Sequence, residues 1–314
     1  MIPGATTSRS TWKQVGVWSL SLALFSLLVW SSLPKGPTEP QWKGRTLSQW
    51  LDTPAFAGFY EYRPVEKAEN KEAFDAVRAM GTNCLPWLLA RLAPREKPGR
   101  FREWLDELAL KVEESGGQVP WERSANQHTR QVSRAIAAFF VLGQVAAPAV
   151  PQLRDGLLGR DGHLERLASA NALGVLGDSG VSVLLNAVTS TDARARQYAV
   201  CGLGPSTTNC EMSLAALCKA AADSERRVRQ FASLSLAQFT NHSSIVVPAL
   251  TNLMADSDKL VRHSAMFSLK MYKGDLTAAI PALELAVSDP DTRMSNHAKE
   301  TLEKLRSQSI KTPP

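Results

Sequence analysis

Small and apolar residues recur along the C-terminal half of the chain at a fixed interval. Four Ala-x-x-x-Leu segments begin at Ala199, Ala232, Ala265 and Ala298, so the step from each segment to the next is the same. Residues four apart lie on the same side of a helix, so each segment predicts a helix with a small residue where a neighbour can pack. A constant period of about 33 residues predicts a stacked array of helical hairpins that bury their apolar sides against one another.

A second apolar helix is predicted after each of these first helices. Pro248 and Pro281 are separated by the same interval, as expected for prolines in the first turns of equivalent helices. Upstream the pattern is looser, with one hairpin predicted over residues 71–92 and the next from residue 131. The array therefore has about six to seven units, the last a lone first helix with a frayed tail over Ser307–Pro314. The second helices are predicted to begin near Gly180, Thr208, Ser244 and Leu276.

Residues 94–130 interrupt the repeat. This segment opens and closes with proline and glycine, and its apolar residues, including Trp104, predict an amphipathic helix between them. It is either an insertion on one face of the array or a strongly diverged repeat. Insertions in repeat proteins often lie on the binding face, which makes Trp104 a candidate partner-binding residue. The alternative is a solvated helix that only decorates the array.

A Pro-rich spacer and a short helix are predicted over residues 35–68, ahead of the array that occupies residues 69–314. Thr46 or Ser48 can cap a helix that presents Leu47, Trp50 and Leu51 on one face. We favour a capping helix that covers the open end of the array, because an uncovered end exposes apolar surface. A docking peptide is the alternative.

Residues 1–34 contain a long stretch without charge. Arg9 and Lys13 precede it, and Trp12 and Trp30 flank an apolar core of a length that suits the hydrocarbon thickness of a bilayer. The sequence predicts an uncleaved, single-pass anchor through residues 15–32, with the array on the extracytoplasmic side. A cleaved signal peptide and a buried helix are the alternatives.

The positive charge of the chain is dispersed. The formal net charge is +6 and the isoelectric point is about 9.2, which would suit a nucleic-acid-binding protein. Phosphate backbones, however, require a clustered basic face, and the one dense run is Arg226 to Arg229. Nucleic acid is therefore an unfavoured partner.

No residue pattern in the sequence predicts catalysis. The chain has 5 His without the H-E-x-x-H spacing, and 4 Cys without a C-x-x-C pair or a Cys/His cluster. Nucleophile-elbow, phosphate-loop and dinucleotide motifs are also missing. We therefore predict no catalytic residue, no metal ligand and no cofactor. The cysteines are interpreted as small packing residues, with one disulfide as the alternative.

The repeat units themselves resemble HEAT repeats of the bacterial HEAT-like type. The resemblance is carried by two units, residues 166–178 (RLASANALGVLGD) and residues 261–269 (VRHSAMFSL), and it covers about residues 69–306 without the insertion. It implies an all-α, right-handed α-solenoid of HEAT-like helical hairpins. Most such proteins are protein-binding scaffolds, while a minority resemble phycobilisome lyase subunits, which attach a bilin chromophore.

The same resemblance implies a structural role for several charged residues. HEAT units tend to carry an aspartate at a turn and an arginine six positions later, and such pairs are expected to form a ladder between repeats. Arg229 is accordingly interpreted as structural rather than as a phosphate contact. Arg166 and Arg196 lack an aspartate in register. The two complete pairs are Asp223 with Arg229 and Asp256 with Arg262.

The second helices provide the remaining candidate surface. In HEAT-repeat proteins the second helices line the concave face. The residues three and four positions after the proline position of each second helix should therefore point into solvent on that face. They form a mixed polar column that suits a protein partner of unknown identity better than a polyanion. The sequence thus favours a non-catalytic, membrane-tethered protein-interaction scaffold; the alternative is a lyase-like or chaperone-like subunit. The column consists of Arg154, Asp155, Cys218, Lys219, Thr251, Asn252 and Glu284.

Overall fold

A computed structural model describes most of the chain after the apolar N-terminal stretch. The predicted anchor and most of the predicted insertion lie outside the described residues. The described residues are 37–56, 70–93, 124–159, 162–204 and 210–311, together with 100, 104, 105, 107, 108 and 111.

Helices account for nearly all of the described secondary structure. In chain order the elements are β1 (Gln41–Trp42), β2 (Arg45–Thr46), α1 (Leu47–Leu51), a 3-10 turn (Pro54–Phe56), α2 (Lys71–Met80), a 3-10 turn (Gly81–Cys84), α3 (Leu85–Leu92), α4 (Ser124–Leu142), a 3-10 turn (Gly143–Ala149), α5 (Val150–Leu158), α6 (His163–Val175), α7 (Asp178–Ala187), α8 (Ala193–Leu203), α9 (Cys210–Ala220), α10 (Arg226–Leu236), α11 (Ser243–Leu253), α12 (Lys259–Met271), a 3-10 turn (Thr277–Ala279), α13 (Ile280–Ala286) and α14 (Thr292–Lys311).

The helices form a solenoid of hairpins. The even-numbered helices α2 to α14 are first helices, and each packs against the next first helix along the array. The odd-numbered helices α3 to α13 are second helices, and each packs against the first helix of the following unit. The buried apolar residues form one continuous core along this stack. The predicted all-α solenoid is therefore confirmed.

Proline and glycine set the turns within the hairpins. Pro86, Pro151 and Pro281 occupy the first turns of α3, α5 and α13, where the missing N–H costs nothing. Gly177 has a φ of 72° at the start of α7, a backbone conformation that favours glycine. The sequence signals that punctuate the repeats thus mark the turns between helices.

The start of the array is covered by β1, β2 and α1. Thr46 forms a capping box with Gln49: its side chain accepts a hydrogen bond from the Gln49 backbone N–H, and the Gln49 side chain accepts one from the Thr46 N–H. Leu47, Trp50 and Leu51 are buried, and α1 packs against α2 and α4. The short helix therefore presents its apolar face to the first repeats.

We expect Thr46→Ala to destabilise this end of the array by about 1 kcal/mol, the usual cost of a lost N-cap. Hydrogen exchange of the α1 amides should accelerate, while exchange in α10 to α12 should stay as in the wild type. Thr53→Ala is the matched control. The Thr53 hydroxyl donates to the Trp50 carbonyl at the other end of α1, so its loss does not affect the N-cap. Equal effects of the two substitutions would contradict a capping role for Thr46.

Two helices extend further than the sequence analysis placed them. Helix α4 begins at Ser124, so it includes residues 124–130 that were assigned to the insertion. Helix α14 continues to Lys311, so a frayed tail starting at Ser307 is wrong. In both cases the polar residues at the helix end gave no apolar period by which the helix could be recognised.

One described stretch is long and apolar enough to cross a membrane, and it lies within the array. This stretch, Asn126–Leu158, includes α4 and α5, and an 18-residue window within it has a mean hydropathy of 1.6. Gly143, with a φ of 50°, divides it, and Ile136 and Phe139 are buried in the repeat core. The stretch is therefore a core hairpin by its packing, and the expected N-terminal anchor lies outside the described residues.

Candidate functional site

A ladder of arginine–aspartate pairs joins successive first helices. The Arg229 guanidinium donates from Nε to Asp256 Oδ2 at 2.7 Å and from Nη2 to Asp256 Oδ1 at 2.9 Å. Arg196 makes the same paired bonds to Asp223, at 2.8 and 2.9 Å. In both cases the carboxylate lies 27 residues after the arginine, in the turn that precedes the next first helix. Each bidentate bond therefore ties one repeat to the next.

The same arginines also hold the turn of their own repeat. Arg229 Nη1 donates to the Asp223 carbonyl at 2.9 Å, and Arg262 Nη1 donates to the Asp256 carbonyl at 2.8 Å. The within-repeat partner of each arginine is thus the backbone of the aspartate six residues earlier. The carboxylate partner of Arg229 belongs to the following repeat, a distinction that the sequence spacing could not make.

The outer steps of the ladder differ. Arg166 is almost fully buried, and it donates to the Leu157 carbonyl at 2.9 Å and to Asp192 Oδ2 at 3.1 Å. Within the described residues Arg262 bonds backbone carbonyls and no carboxylate. At the equivalent position in the last unit, Ser295 donates to the Val287 carbonyl at 2.6 Å. The bidentate bonds are therefore confined to the middle of the array.

The ladder lowers the pKa of its carboxyl groups. Hydrogen bonds from Arg229 are the main cause for Asp256, and they outweigh burial, which opposes ionisation. For Asp223 burial acts most strongly and would raise the pKa, but the bonds from Arg196 and from the Glu225 N–H together lower it. Both aspartates are consequently ionised in the folded chain at neutral pH.

The lowered pKa of Asp256 makes the stabilisation that the ladder contributes depend on pH. The folded-state pKa of Asp256 lies below the unfolded value of about 4, so the stabilisation is present above that value and is lost as the pH falls through the folded-state pKa. In Arg229→Ala the same carboxyl is buried without its partner and gains from protonation. We expect the penalty of Arg229→Ala, measured by urea unfolding, to shrink as the pH falls from about 7 to about 3.

Arg262→Ala serves as the control for this pH series, since Arg262 donates to backbone carbonyls. Its penalty should change less over the same pH range, because its hydrogen-bond acceptors do not titrate. A penalty of Arg229→Ala that is as large in acid as at neutral pH would contradict the assignment of Asp256 as the titrating partner.

The predicted partner-binding residues lie on several helices and do not form one cluster. Arg154 and Asp155 on α5 are exposed and bond each other, with Arg154 Nη2 at 2.8 Å from Asp155 Oδ1. The Trp104 side chain is half exposed, in a segment of which few residues are described. The remaining predicted residues, Lys219, Asn252 and Glu284, are exposed on the second helices α9, α11 and α13.

The second helices α9, α11 and α13 expose an apolar surface that the sequence analysis missed. Nine exposed positions on these helices and on the 3-10 turn before α13 recur at the interval of the repeat, and seven of them are apolar. Leu285, with 80% of its surface exposed, stands where Lys219 and Asn252 stand in earlier repeats. We call the nine residues the second-helix face: Met212, Ala215, Lys219, Ile245, Pro248, Asn252, Ala278, Pro281 and Leu285.

A polar groove of about 810 Å³ lies where the first helices α6, α8 and α10 begin. Its floor includes Arg166, Gln197 and Tyr198, which are nearly fully buried. The Arg166 guanidinium lies over the Tyr198 ring at 5.0 Å, and Tyr198 Oη lies 2.7 Å from Nδ1 of His163. Burial raises the pKa of Tyr198, so its hydroxyl stays protonated at neutral pH. Along the wall and rim lie Gly162, His163, Ala193, Arg194, Glu225 and Arg227.

This groove could have been found in the sequence only by combining three repeats. Arg194 and Arg227 are one repeat apart, each at the second position of its helix, α8 or α10. Gln197 and Tyr198 follow one turn after Arg194, and Arg166 belongs to the preceding repeat. Of the groove's basic residues only Arg166 was considered from the sequence as part of the ladder, and neither Arg194 nor Arg227 was recognised as a candidate.

The described residues do not assemble nucleophilic or metal chemistry. All four cysteines are free thiols, and burial raises the pKa of Cys84 to about 12, which leaves its sulfur protonated at neutral pH. Within the described ranges, no group of three or more His, Cys, Asp or Glu residues is placed to hold a metal ion.

Comparison with protein families identifies the repeat type. Residues 181–270 match the family model for HEAT repeats. The match begins within α7 and ends within α12, so it contains the second-helix residues of α9 and α11 and the bidentate steps of the ladder. A search of curated proteins gave no match.

Several solved structures resemble the chain at low sequence identity. A designed armadillo repeat protein in complex with the peptide (KR)4 is 17% identical, with 70% of this chain and 98% of that chain covered and a TM-score of 0.40. The complex of CpcE and CpcF of phycocyanin lyase from Nostoc sp. is 21% identical, with 53% and 96% covered and a TM-score of 0.35. Human deoxyhypusine hydroxylase is 15% identical, with 83% and 97% covered and a TM-score of 0.35. These remote likenesses say nothing about what this chain binds.

Proposed function

We propose that this protein is a non-catalytic scaffold that binds another protein through its second-helix face and is tethered to a membrane. The observation that carries this proposal is the exposure of apolar side chains in register on α9, α11 and α13. Met212 and Ile245 are about half exposed, and Leu285 is 80% exposed. A folded protein gains nothing from exposing such side chains together, whereas a partner that covers them gains hydrophobic stabilisation.

The composition of the face favours a protein partner. Six apolar residues of the face lie toward the N-terminal ends of the second helices and recur across the repeats, while the remaining position holds Lys219, Asn252 and Leu285 in turn. An apolar centre with a polar rim is the usual composition of protein–protein interfaces. The face is assembled from rigid helices that the ladder holds in register, so little conformational entropy is lost on binding.

Leu285→Glu tests the proposal. Because this side chain is 80% exposed, the substitution should leave folding intact, but it places a charge where the partner buries apolar surface. We expect a photo-cross-linker at position 245 of the full chain, in its native membrane, to give one discrete adduct. Mass spectrometry identifies the partner, and Leu285→Glu should reduce the adduct at least about tenfold.

Met271→Glu is the matched control. Met271 is an exposed methionine at the end of the first helix α12 and is not one of the nine residues of the second-helix face, so its substitution should leave the adduct unchanged. Loss of the adduct in both variants, or retention in both, would contradict binding through this face. Turnover of a substrate by the purified chain, or a bound chromophore, would contradict the non-catalytic assignment.

The tether is proposed from the sequence alone. Residues 14–34 carry no charge and have tryptophans near both ends, as expected of a single transmembrane helix. We expect the full chain to stay with membranes after a carbonate wash. A mature N-terminus near Ser32 would instead show cleavage and would contradict the tether.

A further inference from the structure

The groove between α6, α8 and α10 contains two arginines without partners. Arg194 and Arg227 are exposed at its rim, and within the described residues neither guanidinium makes a hydrogen bond or an ion pair. By contrast, the first-helix arginines Arg166, Arg196 and Arg229 in the same three repeats are all bonded to a carboxylate. Two guanidinium groups on neighbouring repeats thus face the groove with their donors unused.

Their position is unfavourable for the free protein. Both residues lie in the first turn of a helix, where the N-terminal end of the helix dipole disfavours positive charge. Residues that break such a local rule are expected at functional sites. An anionic group bound between them would interact with both guanidinium groups and with the helix N-termini beneath.

The floor of the groove supplies an independent indication. Gln197 is only 4% exposed, and its amide Nε2 is buried without a hydrogen-bond partner. Two repeats later His263 occupies the same position, and its Nε2 lies 2.8 Å from Asp291 Oδ2, 28 residues ahead. Glu225 stands at that offset from Gln197, yet the Gln197 amide has no bond to it. A buried donor without an acceptor is costly. Because Nε2 is covered in the free chain, the amide must turn before an acceptor oxygen in the groove can satisfy it.

We propose that this groove binds an extended, acidic peptide segment of the partner protein, with carboxylates on Arg194 and Arg227 and an acceptor oxygen on Gln197. This inference rests on the proposed scaffold function and adds a second contact surface to it. Neighbouring helices lie about 8–10 Å apart, a span that acidic residues two or three apart on an extended chain can match.

The charges around the groove favour carboxylates over a dense polyanion. Glu225 lies in the wall, and the half-exposed Asp192 carboxylate is bonded to Arg166 of the floor. These two carboxylates would repel a phosphate-rich chain, whereas spaced acidic side chains can approach the two rim arginines separately. The groove volume of about 810 Å³ is within the range of about 300–1,000 Å³ typical of ligand sites.

The test measures binding of a defined probe to the full chain in non-ionic detergent. The probe is a fluorescein-labelled octapeptide of alternating Glu and Ser, followed by anisotropy at low salt, with a Lys/Ser octapeptide as its counterpart. We expect saturable binding of the acidic probe, weakened about tenfold or more in R194Q/R227Q and about threefold in Gln197→Leu. Arg293→Gln is the matched control, because Arg293 is an exposed arginine at the same helix position in α14.

Several results would overturn the proposal. The first two are that the acidic probe does not bind, or that the Lys/Ser probe binds as tightly. The other two are that Arg293→Gln weakens binding as much as R194Q/R227Q, or that inorganic phosphate at the concentration of the peptide displaces the acidic probe completely. The single variants R194Q and R227Q, each at an exposed site, are measured as well. They show whether weaker binding in the double variant comes from the lost arginines or from a folding defect. Probe binding with no adduct at position 245 would refute the scaffold alone, while an adduct without probe binding would refute the groove alone.

Discussion

Arg229→Ala should lower the free energy of unfolding by about 3 kcal/mol, the range found when one partner of a buried ion pair is removed. The side chains of Arg229 and Asp256 are only 14% and 9% exposed, so the substitution leaves a carboxylate buried without its partner. It also removes the donor to the Asp223 and Ser224 carbonyls, at 2.9 and 3.2 Å. Urea unfolding followed by circular dichroism measures the loss.

Two controls separate the ladder from a general effect of charge. Arg262→Ala removes bonds to backbone carbonyls but no carboxylate pair, and we expect an intermediate loss of about 1–2 kcal/mol. Arg293→Ala removes an exposed arginine and should cost less than about 0.5 kcal/mol. A loss in Arg229→Ala no greater than in Arg293→Ala would show that the ladder does not stabilise the array.

Gly202→Ala should also destabilise the protein by about 3 kcal/mol, although alanine is normally the better helix former by about 1 kcal/mol. Gly202 lies in α8 where the backbone of α6 passes closely. A Cβ at this position would lie 2.4 Å from the carbonyl oxygen of Ala170 and 3.0 Å from Cδ1 of Leu184. Backbone cannot rotate away from the added methyl group, so the two helices must separate. The midpoint of thermal unfolding measures the effect.

Gly156→Ala is the matched control within the second helix α5. Its added Cβ would lie 2.5 Å from Oγ of Ser169, which is the end of a side chain that can change rotamer. We expect the change in stability to stay within about 1 kcal/mol, since the gain in helix propensity offsets the adjustment. If both substitutions destabilise equally, close approach of α6 and α8 is not the reason that glycine occupies position 202.

The parts of the fold that the sequence predicted are those that depend on local chemistry. The period of Ala199, Ala232 and Ala265 predicted the stacked first helices, and each of these alanines is fully buried. Thr46 was one of two candidate caps, and it forms the capping box. Side-chain period and capping act over a few residues, so one sequence is enough to recognise them.

The parts that the sequence did not predict depend on how neighbouring repeats pack against each other. The spacing put Asp223 and Arg229 in register, but it did not reveal that the carboxylate partner of Arg229 lies 27 residues ahead, at Asp256. It selected Glu284 for the outward column and passed over its neighbour Leu285, which is 80% exposed. Both results depend on the rotation of a helix relative to its neighbours, which packing sets and residue spacing alone does not.

The offsets of the arginine ladder bear on how such an array changes its length. Each middle arginine finds its carbonyl six residues behind and its carboxylate 27 residues ahead, and together these offsets equal one repeat. A duplication or deletion of a whole repeat unit between Arg196 and Arg229 would therefore leave every guanidinium with both of its partners. A gain or loss of a few residues would leave a buried carboxylate without its arginine. The bonding pattern itself thus restricts viable changes in length to whole repeats.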